Sequence, residues 1–93
     1  MTKTQQLKEQ IVSLLQQAGH DHHQAFQDVD GADAEWPTWY ATYLHPYMRE
    51  LVGPDLTQSE LVYWLVAADR AYRREGSADP WPEYYAAYFL EIL

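Results

Sequence analysis

The sequence predicts an all-α fold: four main helices, arranged as two pseudo-repeated helix–loop–helix hairpins in a small bundle. Three observations predict it. The first is an internal repeat. Trp36-Pro37-Thr38-Trp39-Tyr40-Ala41-Thr42-Tyr43-Leu44 recurs as Trp81-Pro82-Glu83-Tyr84-Tyr85-Ala86-Ala87-Tyr88-Phe89, 45 residues on (Trp36 to Trp81). Five of the nine positions are identical, and two more exchange one large apolar residue for another. Such a repeat usually marks one supersecondary unit that stacks on its neighbour. The second observation is period. Trp36, Trp39, Tyr40, Tyr43, Leu44, Tyr47, Met48 and Leu51 recur at intervals of three and four, and Trp81, Tyr84, Tyr85, Tyr88, Phe89 and Ile92 do the same. Those intervals place each set on one side of a helix. The third is a second correspondence, at an offset of 50 (Ile11 to Leu61), which also pairs Leu14 with Trp64, Leu15 with Leu65, Ala18 with Ala68 and His22 with Tyr72.

The 93 residues make one domain, 1–93, with the repeat halves at about 4–52 and 56–93. That is near the lower end of what folds alone. Apolar residues are 47% of the chain and aromatics 15%, so a dense core is within reach. Without cysteine, neither disulfide nor thiolate chemistry enters. The net charge of −8 repels phosphate backbones and anionic headgroups, so nucleic acid and membrane are poor partners. The start, Met-Thr-Lys-Thr-Gln-Gln, lacks a hydrophobic signal core, and the apolar run 61–68 is far short of the roughly 20 residues that span a bilayer. The expectation is a soluble cytoplasmic protein.

Each element has its own signals. Over 4–28, Leu7, Ile11, Leu14, Leu15, Ala18, His22, Ala25 and Phe26 share a face, with Gly19 a weak point at which this helix either continues or breaks. An acidic loop follows, Asp28-Val29-Asp30-Gly31-Ala32-Asp33. The two offsets differ by five residues, so the first loop carries an insertion there. Asp33 and Asp79 stand where helix caps belong, with Pro37, Pro80 and Pro82 in or near the first turns. Pro46 predicts a kink or a short restart in the second helix. Thr57 and Glu60 have capping-box spacing and open the third helix, whose inner face is Leu61, Trp64, Leu65, Ala68, Ala71 and Tyr72. Asp69, Arg70, Arg73, Arg74 and Glu75 fall on its solvated side, and Gly76 reads as its C-terminal cap. The last helix begins beyond Asp79. Four helices with short connections pack as a compact bundle or as two crossed hairpins.

Chemistry-bearing clusters are few. His20 and His23 are the weak candidates for metal ligands, but a metal needs ligands from several directions, and the His-Glu-x-x-His signature is absent. His22 is in phase with the core and reads as a buried, hydrogen-bonded histidine. The acids of 28–35 depart from the calcium-loop pattern, which needs three alternating acids before its glycine. His45 has no nucleophile motif near it. No cofactor is expected.

The aromatic stripes are the better lead. Each spans more than the roughly 100° a core-facing helix buries, so some aromatic edge is left for a partner. Tyrosine and tryptophan are enriched at such surfaces. The expected interaction residues are Trp39, Tyr40, Tyr47, Tyr84 and Tyr85, acting on a protein partner or on a second copy in a homodimer. The alternative is a small-ligand or metal-binding protein, or an enzyme, built on the His20–His23 cluster.

The Trp36–Leu44 run (Trp-Pro-x-Trp-Tyr-Ala-x-Tyr-Leu), the preceding Ala18–Phe26 stretch, and the segment from Ser59-Glu60-Leu61-Val62-Tyr63 to Tyr85-Ala86 together resemble a group of short, uncharacterised bacterial all-helical proteins. The resemblance covers most of the chain. It implies a small bacterial helical domain, often standing alone, and brings no activity or site residues.

Overall fold

A computed structural model describes residues 2–29 and 33–93. It is all-α among those residues: α1 (Lys3–Ala25), a 3₁₀ turn (Gln27–Val29), α2 (Trp36–Val52), α3 (Gln58–Glu75) and α4 (Trp81–Ile92). α1 packs on α2, α2 on α3, α3 on α4, and α4 returns to α1. The four interfaces close a ring, which is a four-helix bundle. No helix among the described residues is long and apolar enough to cross a membrane.

The repeat is visible in burial. Ile11 and Leu61, Leu15 and Leu65, Ala18 and Ala68, Ala41 and Ala86, and Leu44 and Phe89 are repeat-equivalent pairs, and every member is fully buried. The alanines matter as much as the large residues. They leave room for neighbouring helices to approach, so the bulky side chains can fill the centre to crystal-like density.

Local chemistry sets the ends. Thr57 and Glu60 form the expected reciprocal capping box, and Gly76 ends α3 in the left-handed region at φ 59°, where a side chain is costly. A second capping box, Thr2 with Gln5, starts α1 ahead of the expected position 4. α1 runs unbroken through Gly19 and stops at Phe26, whose N–H bonds the His22 carbonyl. Ala25, expected on the buried face, is exposed in that last turn. α2 runs through Pro46 without a restart. Residues 30–32, where part of the acidic loop and its insertion fall, lie outside the described residues.

Two expected caps are corrected. α2 and α4 begin after Glu35 and Pro80, and neither receives a side-chain cap bond. The Asp33 carboxylate turns instead to His22 and to the Glu35 N–H. Asp79 uses its carbonyl, which accepts from the Tyr72 hydroxyl at 2.8 Å. His45 acts locally. Its Nε2 lies 2.8 Å from the Leu56 carbonyl and pins the α2–α3 connection.

Candidate functional site

The C-terminal turns of α1 and α3 and the N-terminal turns of α2 and α4 meet at one end of the bundle. Between them lies an open cleft of about 530 Å³. Its lining follows the repeat. Trp36 and its equivalent Trp81, Tyr40 and its equivalent Tyr85, and His22 and its equivalent Tyr72 all line it. Asp33, Asp69 and Arg73 complete it. Each hairpin therefore supplies part of the cleft, and its three aromatic pairs come from positions that the offsets of 45 and 50 already match.

On the first hairpin, His22 is the hub. Its ring lies 4.7 Å from that of Phe26, 4.9 Å from Trp39 and 5.0 Å from Tyr40. Its Nε2 donates to Asp33 Oδ2 at 3.0 Å, and each side chain is only 9% exposed. A carboxylate so far out of water needs such a donor. The backbone N–H of Glu35 supplies a second, to Oδ1.

On the second hairpin the arrangement is different. Tyr85 is buried, and its hydroxyl donates to Asp69 Oδ1 at 2.8 Å, while Arg73 Nε holds Asp69 Oδ2 at 2.9 Å. Asp69 thus belongs to the cleft wall and not to the solvated side of α3 where its phase places it. Its repeat equivalent is Gly19, so Tyr40 finds no carboxylate there. A Cβ on Gly19 would stand 3.0 Å from the Trp81 ring and 3.7 Å from the Tyr40 hydroxyl. Glycine is what lets Trp81 lie across α1. Among the described residues, the Tyr40 hydroxyl has no hydrogen-bond partner, and it lines the cleft.

Of the expected interaction residues, the structure brings Tyr40 and Tyr85 into the cleft, with Tyr85 buried at 5% exposure. An exposed aromatic edge at Tyr85 is corrected on that ground, because its ring packs on Tyr72, Trp81 and Phe89 and its hydroxyl is spent on Asp69. Trp39 and Tyr47 do not line the cleft and belong to a ladder beside it, although Trp39 also packs on the cleft residues His22 and Tyr40. There Trp39 stacks on Tyr43 at 5.4 Å and Tyr43 meets Tyr47 at 6.2 Å, a ladder along the outside of α2 that ends in the exposed Tyr47. Tyr84 is half-buried against Tyr72. His20 and His23 line a shallow depression beside the cleft. No group of three metal-ligating side chains exists among the described residues. Sequence reasoning does not find Trp36, Trp81, Asp33, Asp69 and Tyr72 as cleft residues. For the two tryptophans, the repeat that pairs them is the available signal.

Several tyrosines are held protonated. The hydrogen bond to Asp21, 2.6 Å long, is the main cause that pushes the Tyr43 phenol up to about 12. Burial first, and then the bond to Asp69, raises Tyr85, while burial and the Asp33 charge raise Tyr40. A phenol ionises at about 10 when unfolded. The folded state therefore keeps protons that the unfolded state has lost. The stability from these groups is complete below about pH 10 and falls as pH climbs through the folded-state values. Alkaline titration by ultraviolet absorbance is expected to show a late-ionising class of tyrosines, and Asp21→Asn to move Tyr43 back toward ordinary behaviour. Ionisation of all eight tyrosines in one ordinary step, with the fold intact, would contradict this.

No family model matches the chain, and neither a curated protein nor a solved structure matches it.

Proposed function

We propose that this protein is a small cytoplasmic binding protein, one of the short bacterial helical proteins its tryptophan–proline run resembles, and that the cleft at the bundle end receives its ligand. One observation carries the reading. Both hairpins contribute equivalent aromatic residues to the same concave site, where a binding function concentrates rings and a few polar groups. The half-buried Trp36 and Trp81 stand at that site, although burying them further is what stability alone favours. The Tyr40 hydroxyl and the Asp33 and Asp69 carboxylates supply the polar anchors.

The test uses protein labelled with 5-fluorotryptophan, whose four tryptophans report from different places. Trp36 and Trp81 line the cleft, Trp39 sits on the outer ladder, and Trp64 is buried in the core. Titration with small neutral, cationic and anionic aromatic or alkyl probes is expected to move the Trp36 and Trp81 fluorine signals together, ahead of Trp64. If no probe moves them, the cleft reading fails.

A second reading rests on the ladder itself: Trp39, Tyr43 and the 49%-exposed Tyr47 suit docking of a protein partner or a second copy. It expects the Trp39 signal to shift with protein concentration, and Tyr47→Glu to abolish that shift. A Trp39 signal independent of concentration removes the homodimer form of it.

A further inference from the structure

We infer that the ligand of this cleft carries a methylated ammonium group. The inference rests on the binding reading above and names the chemical class. Ring geometry is the first argument. Trp36 and Tyr40 meet at 85°, Tyr40 and Trp81 at 82°, Trp81 and Tyr85 at 69°, and Tyr85 and Tyr72 at 77°, with centroids 5.1 to 6.2 Å apart. These five rings line the cleft as one chain of steep edge-to-face contacts, with Tyr85 buried behind its neighbours and Trp36, Tyr40, Tyr72 and Trp81 only partly covered. The Trp39–Tyr43 pair on the outer ladder, at 15°, is by contrast a stack. Cavities lined by several aromatic rings suit quaternary ammonium groups, because electron-rich ring faces attract a diffuse cation.

Charge is the second argument. Each hairpin places one carboxylate in the lining, Asp33 bonded to the His22 ring and Asp69 to the Arg73 guanidinium, and Arg73 is the one permanently cationic side chain among the described lining residues. The Arg73 side chain is 76% exposed and reaches Asp69 only through Nε. An anion entering the cleft would meet two carboxylates, with Arg73 mostly out in solvent, and the field of a chain at −8. A small hard cation would have to shed its water for ring faces, with no three-ligand cluster among the described residues to replace it. A methylated ammonium group is weakly hydrated and suits both the rings and the acids. The Tyr40 hydroxyl, unpartnered among the described residues, stands ready for a polar group on the remainder of the same ligand.

The test compares choline with 3,3-dimethylbutan-1-ol, which has the same shape without the charge, on wild-type protein labelled with 5-fluorotryptophan. Choline is expected to shift Trp36 and Trp81 with a Kd at least tenfold lower than the alcohol. Asp69→Asn keeps an acceptor for Tyr85 and is expected to weaken choline several-fold while leaving the alcohol unchanged. Equal binding of choline and the alcohol overturns the cationic class and leaves the cleft as a binding site. Indole, run alongside, separates the failures: indole binding at Trp36 and Trp81 without choline binding defeats the inference alone, whereas silence from all three defeats the cleft reading too. A trimethyllysine peptide distinguishes the source. Tighter binding than choline places the ammonium on a partner protein, and weaker binding places it on a free molecule; both uphold the class.

Discussion

Phe89→Ala is expected to destabilise the protein by about 3–5 kcal/mol, the usual range for emptying a buried phenylalanine site. Phe89 is the largest side chain with no exposure, and its ring packs on those of Trp64 and Tyr85, with centroids 5.8 and 6.4 Å away. Domains of this size have about 5–15 kcal/mol in total, so the loss is a large fraction. Urea denaturation should show a lower midpoint with an unchanged slope. Phe89→Leu is the control. Leucine is what the repeat-equivalent position 44 carries, and the swap, which empties less of the site, is expected to cost clearly less than Phe89→Ala. Equal losses for both variants would mean that the site does not depend on filling its volume.

Removing His22 is expected to cost nearly as much for a different reason. In His22→Leu the Asp33 carboxylate keeps the Glu35 N–H but loses its ring donor while remaining out of water. Stranding one partner of a buried pair costs about 3–5 kcal/mol, and the low end applies because a tenth of each side chain still meets solvent. The leucine also forfeits the contacts with Phe26, Trp39 and Tyr40. Adding Asp33→Asn to His22→Leu removes the stranded charge and leaves the Glu35 N–H satisfied. The double variant is expected to regain at least half of the loss in the same denaturation experiment. No regain would show that ring packing, and not the carboxylate, accounts for the whole effect.

The fold is legible because it is written twice. Trp36–Leu44 and Trp81–Phe89 declare two similar helices, and period alone places Leu44 and Phe89 inward. The cleft is legible only in part. Trp36 and Trp81 are visible as equivalents, but the meeting of four helix ends is a tertiary event that no local pattern encodes. Asp33 and Asp69 escape sequence reasoning for the same cause. Helical phase and cap position describe where a Cα lies, whereas the side chain goes to its strongest partner: His22 on α1 in one case, Tyr85 on α4 in the other. The wide stripe on α4 points to an exposed edge at Tyr85, yet an acceptor on α3 lets its polar end be buried. Gly19 reads as a weak point in α1, while its function is space for Trp81, which only the packed bundle reveals.

If the two hairpins jointly build a ligand cleft, binding must depend on a residue from each. Choline is to be titrated calorimetrically into wild type, Trp36→Ala, Trp81→Ala and Tyr47→Ala, with circular dichroism confirming that each variant is folded. Binding at least tenfold weaker is expected for each of the two cleft variants, which come from different hairpins, and binding within a few-fold of wild type for Tyr47→Ala, whose exposed ring stands outside the cleft. Undiminished binding in the Trp36 and Trp81 variants, or loss confined to Tyr47→Ala, would rule out a shared cleft.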